Sequence, residues 1–285
     1  MQKILRITIL FLLVQQLFSA CGEEEIELEL KGSTTRLVVD GLVTTDTMAH
    51  KVRLSLSGDY FHNQSLPGVS GAQVSLSDGL ASIDLQELAE EPGTYTTPSN
   101  YYGKPDHWYT LRISGVDAAG IDPHEIFEAQ SFIAPLVTPD SIAMEYDRFW
   151  ELWKILLYCQ DPAEVENYYL FHTYLNEKLI TDRYAKVSII DDEFFNGNYA
   201  NGVWIADLDT REEDQRPKAG DVIKVACYMI DHNYFKFIEA AQIETTPRAP
   251  LFSGAPANVP GNISNGALGI FSAASVSRIS TVFEP

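Results

Sequence analysis

Hydrophobic positions in this chain come first as one block and then as short alternations. The block is Ile7 to Phe18, interrupted by Gln15 and Gln16 and preceded by Lys3 and Arg6. A basic start, a short apolar core and a close in small residues is the layout of a secretory signal, and this core is too short to cross a bilayer. Residues 1–20 are therefore read as a signal peptide. After it the period changes to two. Ile26-Glu27-Leu28-Glu29-Leu30 alternates strictly, and strand-like runs follow at 36–43, 51–57, 72–76, 82–85, 109–113 and 127–133. Pro67-Gly68, Asp78-Gly79 and Pro92-Gly93 separate them with turn chemistry. This spacing predicts an all-β sandwich over 35–134, behind a tether and first strand at 21–34.

Ala134-Pro135-Leu136-Val137-Thr138-Pro139-Asp140-Ser141 carries two prolines, and 135–141 is the best linker candidate. Beyond it the pattern is again β, at 152–159, 168–175, 184–190 and 222–230, with a final strand near 276–283. One helix stands out at about 233–244. Asp231 and Asn233 offer caps, Tyr234, Phe237, Ile238 and Ala241 recur at i, i+3, i+4 and i+7, and Thr245-Thr246-Pro247 stops it. The expected architecture is mainly β. An N-terminal immunoglobulin- or transthyretin-like sandwich precedes a second β-rich domain, 142–285, with one short amphipathic helix. In the first half, Pro67 to Leu76 and Pro92-Gly93-Thr94-Tyr95 resemble the carboxypeptidase-regulatory-like, transthyretin-type sandwich. The glycines there read as structural, serving positive φ or close strand approach.

Composition narrows the function. With 45% hydrophobic and 11% aromatic residues the chain is globular, and 265 residues remain after the signal. The 18 basic residues left once Lys3 and Arg6 depart face 40 acidic ones, a formal −22. Such a surface excludes nucleic acid as a partner, because phosphate binding needs cationic charge. Cys159 and Cys227 fall on the apolar faces of their strands by period-two counting, which leaves either two buried thiols or a cross-strand disulfide. The six histidines show no zinc spacing, and Gly68-Val69-Ser70-Gly71 falls short of a nucleophile elbow. Asp192-x-Phe194-x-Asn196-Gly197 imitates half a calcium loop, but Phe194 takes a ligand position and Val203 stands where the bidentate glutamate belongs. No catalytic residue, metal or cofactor is assigned.

Two features point to an address. Phe18-Ser19-Ala20-Cys21 resembles the bacterial lipobox, whose cysteine is acylated and becomes the mature N-terminus. Glu23, Glu24 and Glu25 follow at once, and in Bacteroidetes-type lipoproteins such an acidic cluster signals export to the cell surface. Across its length the mature chain resembles the Bacteroidetes DUF4249-type lipoproteins. The matching pieces include Arg36-Leu37-Val38-Val39-Asp40-Gly41, Gly71-Ala72-Gln73-Val74 and Asp192-Glu193-Phe194-Phe195-Asn196-Gly197. Asn262-Ile263-Ser264-Asn265-Gly266 leading to Gly269-Ile270-Phe271 completes the series. The resemblance implies an outer-membrane lipoprotein anchored through Cys21, facing the exterior and partnering a TonB-dependent transporter. It transfers no catalytic residue.

The stretch from Asp191 to Trp204 mixes aromatics with Asn and Gly, as binding loops do. Asp192, Phe194, Phe195, Asn196, Tyr199 and Trp204 are its candidate contacts for a small ligand. Tyr101-Tyr102-Gly103 with His107-Trp108 is a second such cluster. Asp46-Thr47-Met48 and Asp140-Ser141-Ile142 match the Asp-Ser/Thr-aliphatic O-glycosylation pattern of Bacteroidetes envelope proteins, with Thr47 and Ser141 as acceptors. The expected function is non-enzymatic binding beside a transporter. Its rivals are a cell-surface hydrolase of glycans or peptides and a structural or adhesive envelope module.

Overall fold

The computed structural model describes residues 35–58, 67–163, 165–245 and 259–284. The signal, Cys21, Glu23, Glu24, Glu25 and the strand expected at 26–30 lie outside the described residues. The first half contributes β1 (Leu37–Thr44), β2 (Lys51–Leu56), β3 (Gln73–Ser77), β4 (Ser82–Asp84), β5 (Gln86–Glu87), β6 (Thr94–Thr96), β7 (His107–Ser114) and β8 (Phe127–Ile133). The second half contributes β9 (Ser141–Asp147), β10 (Leu152–Gln160), β11 (Tyr168–Leu175), β12 (Lys178–Leu179), β13 (Ser188–Asp191), β14 (Tyr199–Asp209) and β15 (Val222–Ile230). The helix α1 (His232–Thr245) and the last strand, β16 (Leu268–Val282), follow. The protein is mainly β, as the alternation predicts.

Three sheets result. The largest runs β12-β11-β15-β16-β1-β2-β6-β5, with β13 paired to β11; the others run β14-β10-β9 and β4-β3-β7-β8. β16 joins the halves. It lies parallel to β1, Val38 opposite Leu268, and antiparallel to β15, Met229 opposite Ser275. Period-two burial then builds two cores on one side of this sheet. Leu37, Val39 and Val43 of β1 meet Val74, Leu111 and Ile133 of the four-stranded sheet. Farther along, Val225 and Met229 of β15 meet Ile155 and Leu157 of the three-stranded sheet. On the opposite face α1 lays Phe235, Phe237 and Ile238 over Leu170, Ile230, Ile270 and Ala274. Its start is capped as the sequence suggests, Asp231 Oδ1 accepting from the Tyr234 N–H at 2.8 Å.

The segment 135–141 runs along β16. Ser277 Oγ donates to the Val137 carbonyl at 2.7 Å, and the Val137 side chain is buried in the second core. Pro67-Gly68 and Pro92-Gly93 cross each other. A Cβ on Gly68 would stand 2.0 Å from the Pro92 carbonyl oxygen, and Gly93 has φ +81°. Close approach and positive φ are both present, so neither position tolerates a side chain.

Three expected elements are corrected. Residues 184–190 hold a 3-10 turn, Tyr184–Lys186, before β13 begins. The last strand starts at Leu268, eight residues before the 276 expected for it, because pairing with β1 extends it. The stretch 199–204, read as loop, belongs to β14. Gly202 at φ +79° and Ile205 are extra residues on β14, opposite Leu157/Tyr158 and Ile155/Leu156 of β10, and they break the alternation that would have exposed this strand.

Cys159 and Cys227 sit as free, buried thiols in the second core, not as the disulfide that the sequence left open. Burial pushes the Cys159 thiol up to about 11, and that of Cys227 higher still. Alkylation at pH 8 should therefore leave both untouched in the folded protein and label both after denaturation. Rapid labelling of the native state would contradict this burial.

Candidate functional site

The two sheets of the second half part along one flank, where β14 faces the turn that follows β12. The opening is a cavity of about 660 Å³. β14 supplies one wall. Ile205 and Leu208 point into the second core, while Trp204, Asp207 and Asp209 line the opening. Asp207 and Asp209 share a face because a strand repeats every two residues. Arg183 and Lys186, on and beside the 3-10 turn, supply the other wall.

Trp204 is 44% exposed, its Nε1–H satisfied by the Ala206 carbonyl at 2.9 Å. The Lys154 ammonium lies 4.7 Å from its ring centroid. What remains of the indole is apolar surface with no donor to spare. The two carboxyls titrate in opposite directions. Asp209 forms a fork with Arg211, Nε to Oδ1 at 2.9 Å and Nη2 to Oδ2 at 2.7 Å, which holds it down at about 2. Asp207 keeps an open edge to solvent, yet crowding by protein raises it above the ordinary range, and the Asp209 carboxylate adds to this. Among the described residues, Arg183 and Lys186 pair with the exposed Asp182, at 3.4 and 3.9 Å. Such pairs are weak and easily exchanged for a ligand. An apolar ring with charges of both signs can hold a polar or zwitterionic small molecule.

The predicted contacts are not brought together. Asp192 is buried, its Oδ2 accepting from the Asn167 N–H at 3.0 Å and from Nδ2 at 3.3 Å, so it braces the turn. Phe195 folds under, 6.2 Å from Tyr169 and packed on the second core. Asn196 and Tyr199 are exposed, and Phe194 stands 91% exposed. Of the six, Trp204 alone lines the cavity. The turn itself hangs on Asp161, whose Oδ2 accepts from the Gly197 N–H at 2.8 Å. In the second cluster Tyr101 packs edge-on to His50, while Tyr102 and Trp108 are exposed. Thr47 and Ser141 are both exposed.

Sequence reasoning missed Arg183, Lys186, Asp207 and Asp209. Trp204-x-x-Asp207-x-Asp209 was the available signal, once 199–209 is taken as a strand. It also missed Phe149 and Trp150, exposed at the tip of the β9–β10 hairpin. Asp147 fixes that tip, accepting from the backbone N–H groups of Phe149 at 2.9 Å and Trp150 at 3.1 Å. Among the described residues no group of three or more His, Cys, Asp or Glu side chains is placed to hold a metal ion.

A model of the domain of unknown function DUF4249 matches residues 23–280. The chain belongs to this family. Among curated proteins none matches it. A crystal structure of "a putative carbohydrate binding protein" from Bacteroides uniformis aligns over 86% of this DUF4249 chain and 98% of its own, at 8% identity and a TM-score of 0.23. A likeness at that level carries nothing about function.

Proposed function

We propose that this DUF4249 protein is a lipoprotein of the bacterial outer membrane, anchored through acylated Cys21 and facing the cell exterior. There it acts as a non-enzymatic binding component beside a TonB-dependent transporter in nutrient uptake, and the Trp204 groove takes the ligand. The groove is the observation that carries the reading. Its aromatic surface and loosely paired charges suit reversible capture. The family match begins at residue 23, two residues after Cys21, which fits that cysteine as the mature first residue. Glycan hydrolysis is less well supported. Asp207 and Asp209 are neighbours on one strand, whereas paired catalytic carboxyls flank the scissile bond from opposite sides.

Two variants test the reading. Cys21→Ala should move the protein from the membrane fraction to the soluble one. Thermal-shift screening with oligosaccharides, amino acids and short peptides should find a class that raises Tm. Trp204→Ala should weaken that class about 10- to 100-fold, the loss typical of a central aromatic contact. The tagged wild type should retain a transporter on gentle extraction. A Cys21→Ala protein still held in the membrane would overturn the anchor, and a ligand bound equally by Trp204→Ala would overturn the site.

A further inference from the structure

A second cavity, of about 410 Å³, opens where the two halves meet at the start of α1. Its walls are apolar: Phe132, Ala134, Pro135, Pro162, Val165 and Met229. Tyr168 and His232 also line it, stacked with centroids 5.0 Å apart and planes 15° from parallel. Among the described residues of the lining, the acidic and basic side chains are all carboxylates, Asp106, Glu166 and Asp231, with no Lys or Arg. Asp231 is committed to structure, accepting from Ser131 Oγ and from the Tyr234 N–H. Glu166 spends one oxygen, Oε2, on the Tyr168 hydroxyl at 2.9 Å. Its other oxygen and the Asp106 carboxylate stand free to meet a cation. The volume lies within the roughly 300–1,000 Å³ usual for small-molecule sites, and apolar walls with a few convergent polar groups are their usual make-up.

An anion would face unrelieved repulsion here, and a neutral polar molecule would leave its hydrogen bonds unmade against the apolar walls. An apolar cation meets neither cost. Its ring gains burial and stacking on Tyr168 and His232, and its ammonium gains two carboxylates at the exposed mouth of the pocket. We propose that this pocket binds a small apolar amine, its hydrocarbon part against Phe132, Met229 and the Tyr168–His232 stack and its ammonium toward Glu166 and Asp106. This site is separate from the Trp204 groove and does not depend on it.

Three probes of one size test it on the mature chain by calorimetry: phenethylamine, 2-phenylethanol and 3-phenylpropionate. The amine should bind at least about 10-fold more tightly than the alcohol, and the carboxylate should not bind detectably. Glu166→Gln with Asp106→Asn should bring the amine down to the affinity of the alcohol and leave the alcohol unchanged. Ala134→Trp should fill the pocket and abolish both. Because Ala134 packs on the second core, Val165→Trp serves as the safer block, since Val165 is 60% exposed at the rim. Trp204→Ala should bind the amine as the wild type does. Equal binding of all three probes, no binding of the amine at millimolar concentration, or full binding by Val165→Trp would each overturn the proposal.

Discussion

Phe271→Ala is expected to cost about 3–5 kcal/mol of stability, the range for deleting a large aromatic from a packed core. Phe271 is fully buried on β16 and faces Gly41 of β1 in the parallel register. A Cβ on Gly41 would lie 3.3 Å from the Phe271 ring and 3.1 Å from Val52. The ring therefore fills the space a side chain at 41 would occupy, and nothing bulky stands there to close the gap. At about 2–4 °C per kcal/mol for a chain of this size, Tm should fall by about 6–20 °C. Denaturant titration gives the direct measure. A loss below about 1 kcal/mol would mean that the first core does not rest on β16.

Asp161→Ala should be the next most damaging change, at about 2–4 kcal/mol. Asp161 is 1% exposed, and its Oδ1 accepts from the buried Tyr169 hydroxyl at 2.5 Å. Removing the carboxylate strands that hydroxyl in an apolar core, where an unpaired polar group costs its full desolvation. It also frees Gly197, so the turn carrying Phe194 should become sensitive to protease. Adding Tyr169→Phe removes the stranded group, and the double variant should recover part of the loss. If the double variant is as unstable as the sum of the two single changes, the pair is not coupled and the explanation fails.

Sequence reveals those parts of this fold in which one strand faces one core. Ile223, Val225, Cys227 and Met229 alternate without interruption, and all four lie in the second core as counted. In the α1 stripe of Tyr234, Phe237, Ile238 and Ala241, the last three are buried and Tyr234 is half-buried. Phe235 was not part of that stripe, and it is buried against Tyr168. β14 stayed hidden because it is itself bulged, with Ile205 and the positive-φ Gly202 left out of the pairing with β10, so its period of two becomes irregular. The groove was illegible for a different reason. Arg183 and Asp207 stand on different elements, and only the fold brings them to the lining of one cavity. The candidate loop does not form one surface. Aromatics next to one another in sequence went to solvent, to the core and to the groove in turn.

The pairing of β16 also governs how the molecule can come into being. Val38 must find Leu268, 230 residues downstream, before the first sheet has its full set of strands. Contacts so distant in sequence slow folding more than they weaken the folded state. Neither half can finish on its own while the chain is still emerging. A chain stopped before residue 268 would leave β1 and β15 as two open edges at once, and an open edge pairs with whichever strand reaches it first.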